Sequence, residues 1–223
     1  MSRPAATHDA LIDLRPTHQF GYINPVLVSD FIHYQFYQIA PPRTHFVAYH
    51  INLTSFTKDG VDQALVAFWD AVDFLIGRNV ERISLGGIPL SAYAGRSRVL
   101  ELLAQARQRT DIPVTTDFEE CIDALHQLGV KRVVAAAKWD APMMAAVVAY
   151  LRHAGIEVLG SVGEAHSAQQ VVALRPDDSI EVALQLGRNA FHAYPGADGL
   201  LLAGGAWLVL HAIPASRRNS ASR

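Results

Sequence analysis

The chain has 223 residues, of which 50% are hydrophobic and 18% charged, and 19 Lys and Arg against 21 Asp and Glu give a net charge of −2. This composition excludes the disordered class of protein, because a half-apolar chain can bury a sizeable core. The near-neutral charge gives no electrostatic reason to expect nucleic acid as a partner. The single cysteine excludes an intrachain disulfide and a cysteine zinc cluster, and it indicates a reducing compartment.

We expect no targeting signal and no membrane span from the residues at the two ends of the sequence. Polar residues interrupt every apolar run before residue 19, so no signal-peptide core is present. No stretch approaches the roughly 20 apolar residues that a membrane span needs. We expect a soluble, cytoplasmic protein with a flexible N-terminal arm over 1–18 and a disordered basic tail over 215–223.

Short apolar runs alternate with longer stretches of helical period, which is typical of parallel βαβ units. The predicted strands are Phe20–Ile23, Thr44–Ile51, Arg82–Leu85, Pro113–Thr116, Arg132–Ala137, Glu157–Ser161 and Leu200–Ala203.

The helices fall between these strands. A strong apolar stripe predicts one helix over Val61–Ile76. We expect Asp117 to cap a second helix, which Gly129 ends. Pro142 is expected in the first turn of a helix that runs to His153, where its missing N–H costs nothing.

The order of elements repeats. One series starts at Phe20 and ends at Gly86-Gly87, and a similar series starts at Arg132 and ends at Gly204-Gly205. This repeat predicts an α/β fold of two pseudo-symmetric Rossmann-like lobes with parallel sheets around a central cleft. Ligands of such units bind at the carboxyl ends of the strands, so both glycine pairs are expected to line that cleft.

The predicted lobes divide the chain near its middle. The first lobe covers 19–115 and the second covers 116–205, with 206–214 packing back on the first.

The glycine pairs have two open interpretations. Glycine lets a ligand approach free N–H groups, which suits an anion such as a carboxylate. A tight turn that needs a positive φ would require glycine just as well.

The common nucleotide and hydrolase motifs are missing. The chain has no GxGxxG, GxxxxGK[ST], HExxH or GxSxG. His45 and His50 lie an odd number of residues apart on one strand and therefore face opposite sides. We predict no metal site, because no histidine pair has ligand spacing on one face.

Two side chains, Cys121 and Lys138, are chemically reactive and could be either structural or catalytic. Cys121 lies within the apolar stripe of its helix, where free cysteine is usually a small buried hydrophobe. Lys138 directly follows the strand Arg132–Ala137, at the carboxyl edge where the cleft is expected. Desolvated there, it would have a lowered pKa and could act as acid, base or amine nucleophile. The alternative is a lysine whose stem reaches solvent.

Several segments resemble the aspartate/glutamate racemase superfamily, in particular its arylmalonate decarboxylase and maleate isomerase branch. The resemblance implies the same two lobes, no metal or organic cofactor, and cleft thiols that act on a carbon next to a carboxylate. The segments that carry it are Gly21–Pro25, Ser84–Tyr93, Val114–Leu125, Leu128–Val133 and Asp198–Pro214.

This chain departs from that pattern at the thiols. Gly87 and Gly204 stand at the two thiol positions that the resemblance implies. Ile88 and Pro89 stand where hydroxyls would bind the substrate carboxylate, and Trp139 stands where a tyrosine is expected. The family's closing strand and last helix do not follow residue 214, which would leave the first lobe an edge or apolar patch for a second subunit to cover.

We predict a cofactor-independent lyase or isomerase with a non-cysteine proton donor. It is most like a decarboxylase of a small (aryl)malonate-type or related carboxylic acid. The alternatives are a catalytically silent homologue that binds a carboxylate or serves as a partner subunit, and a truncated or frame-shifted gene product. The predicted ligand is a small carboxylate or carbonyl acid, and the predicted assembly is a homo-oligomer without nucleic acid or membrane.

The predicted catalytic residues are Lys138 and, after it, Tyr93. The N–H groups of the glycine pairs are expected to hold the anion. The predicted substrate-binding residues are Pro25, Gly86, Gly87, Ile88, Pro89, Ser91, Trp139, Gly204 and Gly205.

Overall fold

The computed structural model describes residues 15–27, 30–55, 57–166, 170, 173–205 and 207–213. Its strands are β1 (His18–Asn24), β2 (Thr44–His50), β3 (Arg82–Leu85), β4 (Val114–Thr116), β5 (Arg132–Ala137), β6 (Glu157–Gly163) and β7 (Gly199–Leu202). Its helices are α1 (Asp30–Ile39), α2 (Lys58–Val66), α3 (Phe68–Gly77), α4 (Ile88–Ala94), α5 (Arg96–Arg109), α6 (Asp117–Gln127), α7 (Ala141–His153) and α8 (Pro176–Ala193).

The strands form two separate parallel sheets. The first has the order β2-β1-β3-β4 and the second the order β6-β5-β7. The predicted α/β fold with parallel sheets in two lobes is therefore confirmed. Each predicted strand is present with its ends displaced by at most two residues.

Strand β5, at the centre of the second sheet, is buried on both faces, which explains why it is a continuous apolar run. Val133, Ala135 and Ala137 belong to a hydrophobic cluster that also contains Ile23 and Ile83 of the first sheet. The alternate residues of β5 pack into a second cluster on the opposite face. A parallel strand covered on both sides cannot show polar alternation, because its side chains point to both faces in turn.

The stripe over Val61–Ile76 was predicted as one helix, and this is wrong. Two helices, α2 and α3, meet at Ala67, whose N–H donates to the oxygen of Ala64 over 3.2 Å. That bond closes a tighter turn than an α-helix has and breaks the element there. The apolar face nevertheless continues across the break, because buried residues lie on both sides of it.

The predicted cap of α6 is also wrong. Thr116, and not Asp117, is the N-cap residue, since its Oγ1 accepts from the N–H of Glu119 over 3.1 Å. Gly129 has a φ of +68° just after that helix, as its predicted role requires. Pro142 lies in the first turn of α7, which ends at His153 as predicted.

The residues after the second glycine pair contact the first sheet's helix α1. The Nε2 of Gln35 donates to the oxygen of Trp207 over 2.8 Å, and its Oε1 accepts from the N–H of Leu210 over 3.1 Å. The predicted limits of the lobes stay a prediction, and the predicted arm (1–18, except its last four residues) and tail (215–223) lie outside the described residues. Within the described ranges, no helix is long and apolar enough to cross a membrane.

Candidate active site

Lys138 lies at the carboxyl end of β5 and is buried, with 2% of its surface exposed. Its Nζ lies 4.7 Å from the centre of the Trp207 ring, within the range of a cation–π contact. Desolvation lowers the pKa of Lys138 from 10.5 to about 7. Of the two interpretations that the sequence left open, the solvent-reaching lysine is therefore wrong.

Trp139, Gly204 and Trp207 surround the same strand ends. The indole Nε1 of Trp207 donates to the oxygen of Gly204 over 2.6 Å. A Cβ on Gly204 would lie 3.2 Å from Cζ2 of Trp139, and its φ of +112° favours glycine in any case. We call Lys138, Trp139, Gly204 and Trp207 the indole cluster. Sequence reasoning did not single out Trp207, although its position just after the predicted glycine pair was a usable signal.

Neighbouring side chains leave no space for a Cβ atom at either residue of the first glycine pair. A Cβ on Gly86 would collide with the hydroxyl of Tyr22. Gly87 has a φ of +90°, and a Cβ there would lie 2.6 Å from Cγ of Pro25. Gly87 therefore has the positive φ that the second of the two interpretations predicted, whereas Gly86 is required by the close approach of the Tyr22 ring.

Asp117 is the residue of this region that sequence reasoning missed as a site residue. Its carboxylate accepts from the hydroxyl of Tyr22 over 2.9 Å, from Oγ of Ser84 over 3.2 Å and from the N–H of Gly87 over 3.1 Å. Burial raises the pKa of Asp117, and these three bonds oppose the rise. Burial and the nearby Asp117 carboxylate raise the pKa of Tyr22 well above its usual range. Its position directly after the predicted strand Pro113–Thr116 was a signal that could have identified it.

The expected anion-binding role of the first glycine pair needs correction. The N–H of Gly87 already donates to Asp117, and the N–H of Gly86 donates to the oxygen of Ile23 over 2.9 Å. The N–H groups of Gly204 and Gly205 have no hydrogen bond in the part of the chain that the structure describes. The first glycine pair, unlike the second, therefore has both of its amides engaged in hydrogen bonds.

Helix α4 carries the remaining predicted residues and packs against α7. Ile88, Pro89 and Ser91 are buried, and Oγ of Ser91 has no hydrogen bond among the described residues. Tyr93 is only partly buried; burial and then the charge of Asp140 raise its pKa. Asp140 is the N-cap residue of α7, so Tyr93 lies near enough to the start of that helix to feel this charge.

Cys121 lies on α6 and packs against the large hydrophobic cluster, as its apolar stripe predicted. Burial raises the pKa of its thiol to about 12, with Asp117 and Glu120 adding to the rise. A thiol with such a pKa is almost entirely protonated at neutral pH and is a poor nucleophile. No cluster of three His, Cys, Asp or Glu side chains that could hold a metal ion occurs among the residues described.

The relationship to known proteins agrees with this architecture. A family profile described as arylmalonate decarboxylase matches residues 35–221. The chain belongs to the arylmalonate decarboxylase family. The arylmalonate decarboxylase of Bordetella bronchiseptica is 30% identical over 177 residues, which are 79% of this chain and 72% of that protein.

Solved structures of that family have the same fold. A liganded crystal structure of a substituted arylmalonate decarboxylase, 27% identical, has a TM-score of 0.80 over 92% of this chain and 85% of that one. A second arylmalonate decarboxylase structure, 25% identical, has a TM-score of 0.71 over 91% and 84%. The maleate isomerase Iso of Pseudomonas putida, 19% identical, has a TM-score of 0.74 over 92% and 85%, a likeness of fold. The resemblance to arylmalonate decarboxylase is thus confirmed, and the likeness to maleate isomerase is one of fold. The assignment of the two thiol positions to Gly87 and Gly204 stays a prediction.

Replacing Gly87 by alanine tests whether this glycine is held by Pro25. Gly95 is a matched control, because its φ is +80° and nothing lies within 4 Å of a Cβ placed there. We expect Gly95→Ala to lower the free energy of unfolding by about 1–3 kcal/mol through backbone strain alone. Gly87→Ala is expected to cost about 1–3 kcal/mol more, since Pro25 must move. Urea denaturation measures both, and equal losses would show that Pro25 does not confine this turn.

Proposed function

We propose that this protein is a cofactor-independent decarboxylase of a small malonate-type or related carboxylic acid, in which Lys138 replaces a thiol as proton donor. The family and its relatives named as arylmalonate decarboxylases support the reaction class. The observation that carries the proposal is the buried amine at the carboxyl edge of β5, whose pKa is lowered to about 7. A general acid works best when its pKa lies near the pH at which it acts.

The indole cluster supplies the environment for the bond cleavage. The rings of Trp139 and Trp207 are buried and offer one substrate carboxylate few partners, which favours its loss as carbon dioxide. The electron pair of the broken bond stays on the neighbouring carbon, and the second carboxylate of the substrate delocalises it. In this proposal the N–H groups of Gly204 and Gly205 hold that charge.

Lys138 then completes the reaction. Its ammonium form donates a proton to the carbanion, and solvent returns a proton to the amine. Near its pKa of about 7, both forms are present in similar amounts. Tyr93, near Asp140, is the second candidate donor, although its raised pKa makes its hydroxyl a weaker acid.

A catalytically silent carboxylate binder is the second candidate function. It is favoured by the first glycine turn, where the N–H of Gly87 is already taken by Asp117. Ile88 and Pro89 add no hydroxyl there, so that turn offers a substrate carboxylate little to bind. Such a protein would use only the second glycine pair.

Incubation with phenylmalonate distinguishes the two functions. The decarboxylase is expected to release carbon dioxide from it and to be stabilised by it in a thermal unfolding experiment. Stabilisation without release would identify the binder. If neither release nor stabilisation follows with phenylmalonate or with unsubstituted malonate, the proposed function is wrong.

A further inference from the structure

We propose that Lys138 is also a covalent nucleophile, which forms an imine with the ketone of a small 3-oxo acid and so decarboxylates it. This second activity rests on the same indole cluster as the proposed function. It names a different substrate class, because a malonate has no ketone to condense with an amine. The imine chemistry can therefore be tested separately from the malonate activity.

Burial sets Lys138 apart from the other lysines. The sequence contains three, and Lys58 and Lys131 are both exposed while Lys138 is 2% exposed. Apolar surroundings favour the neutral amine, which is the form that attacks a carbonyl carbon.

The ring of Trp207 can stabilise a positive charge on the imine intermediate as well as on the unreacted amine of Lys138. Nζ lies 4.7 Å from its centre, so an iminium formed on that nitrogen would place its positive charge over the same ring. The face of an indole attracts such a cation, and more strongly where water is excluded. The site thus stabilises the charge that draws electrons from the bond to be broken.

In this proposal the 3-oxo acid reaches the indole cluster past the second glycine pair. Gly204 is partly exposed and Gly205 is exposed, and neither carries a side chain that would cover the indole cluster. Their N–H groups can donate hydrogen bonds to the carboxylate of an acid whose ketone carbon meets Nζ beside the Trp207 ring. The close packing of Trp139 on Gly204 limits the acid to a small one.

The reaction balances without any further reactant. The amine adds to the ketone, and loss of one water gives the imine, which takes up a proton to become the iminium. The bond to the carboxylate breaks, carbon dioxide leaves, and the electron pair passes through the carbon framework to the iminium nitrogen as an enamine. The enamine carbon takes a proton, and one water hydrolyses the resulting iminium to the ketone product and the regenerated amine of Lys138, with release of a proton.

The two activities have opposite pH dependence. The imine route needs the neutral amine, so its kcat/KM rises with pH up to the pKa of about 7 and is level above it. Proton donation to a malonate-derived carbanion needs the ammonium form, so its rate falls above the same pH. One residue would thus give two profiles of opposite slope.

Borohydride reduction in the presence of acetoacetate tests the imine. The expected result is an isopropyl group, here called the label, on Lys138 in peptide mass spectra. Lys58 and Lys131 should carry no more of this label than in a sample without acetoacetate. The reduced protein should no longer decarboxylate acetoacetate. Lys138→Met should remove the label and reduce acetoacetate turnover to the uncatalysed rate, with its fold checked by denaturation. No label on Lys138, or equal label on all three lysines, would overturn the inference.

The same experiment separates this inference from the proposed function. Borohydride added with phenylmalonate forms no adduct, because no ketone is present. If Lys138 is labelled but phenylmalonate is not turned over, the imine chemistry is supported and the malonate activity is refuted. Phenylmalonate turnover without label would do the reverse.

Discussion

Lys138→Met is expected to abolish decarboxylation and at the same time to stabilise the folded protein at pH 7. Removing a general acid typically lowers a rate by about 10²–10⁴-fold, and methionine has no proton to donate. Methionine fills a similar volume without an amine, so the burial that lowers the pKa of Lys138 no longer opposes folding. Loss of activity in a more stable protein cannot be attributed to unfolding.

The sign of the stability change follows from the pKa values. Lys138 has a pKa of about 7 in the folded chain against an ordinary 10.5. Between these values the unfolded chain holds a proton on Lys138 that the folded chain has lost, so raising the pH favours folding. Below pH 7 the full cost of burying the amine is present, and above 10.5 it is gone.

The measurement is urea denaturation of both proteins at pH 7 and pH 10, with activity assayed on the same preparations. At pH 7 the variant is expected to gain on the order of a few kcal/mol, reduced by the contacts that the amine loses, the one with Trp207 among them. The advantage should shrink at pH 10. Lys131→Met, at an exposed lysine on the other end of β5, is the control and should change neither activity nor stability. Full activity in Lys138→Met would remove Lys138 from the mechanism, and a variant less stable at pH 7 would show that its amine is not desolvated.

Glu119→Gln is expected to cause the largest loss of stability of any single polar substitution considered for this protein. The Glu119 carboxylate accepts hydrogen bonds from Nε and Nη2 of Arg96, each over 2.9 Å, and from the hydroxyl of Tyr150 over 2.8 Å. These residues join α5, α6 and α7, and the ring of Tyr150 stacks on Phe118 at 4.2 Å between centres. The substitution leaves the guanidinium without its charge partner and turns an amide N–H₂ toward it.

Breaking a buried ion pair costs about 3–5 kcal/mol. Arg96 keeps 21% of its side chain exposed, so we expect a smaller loss of about 2–3 kcal/mol, measured by urea denaturation. Glu181→Gln is the matched control, because the Glu181 pair with Arg188 is 69% and 46% exposed. Exposed pairs contribute about 0–1 kcal/mol. Equal losses in the two variants would show that the Arg96 pair does not join the helices.

The strands and the two-lobe repeat could be predicted because their signal is local. A buried parallel strand is a short apolar run, and the run Arg132–Ala137 shows it without reference to the rest of the chain. The break at Ala67 could not be predicted, since the apolar stripe has the same phase on both sides of it. Periodicity shows which face is buried, but it does not show where a single hydrogen bond shortens a turn.

The candidate site was less predictable, because its properties depend on residues far apart in sequence. Asp117 was expected to cap its helix, but its carboxylate binds Tyr22, which is 95 residues away. The glycines beside it were expected to offer N–H groups to a ligand, but Asp117 takes the one of Gly87. No local pattern contains that contact.

The amino-acid sequence by itself determined the α/β class, the order of the strands along the chain, the two glycine turns and the position of a lysine at a strand end. The tertiary structure alone decided that Lys138 is buried against Trp207 and that the first glycine turn is occupied by Asp117. The physical reason is that strand and helix signals depend on neighbours in sequence. Desolvation and hydrogen bonding depend on neighbours in space, and these set the charge of an amine and the availability of an amide.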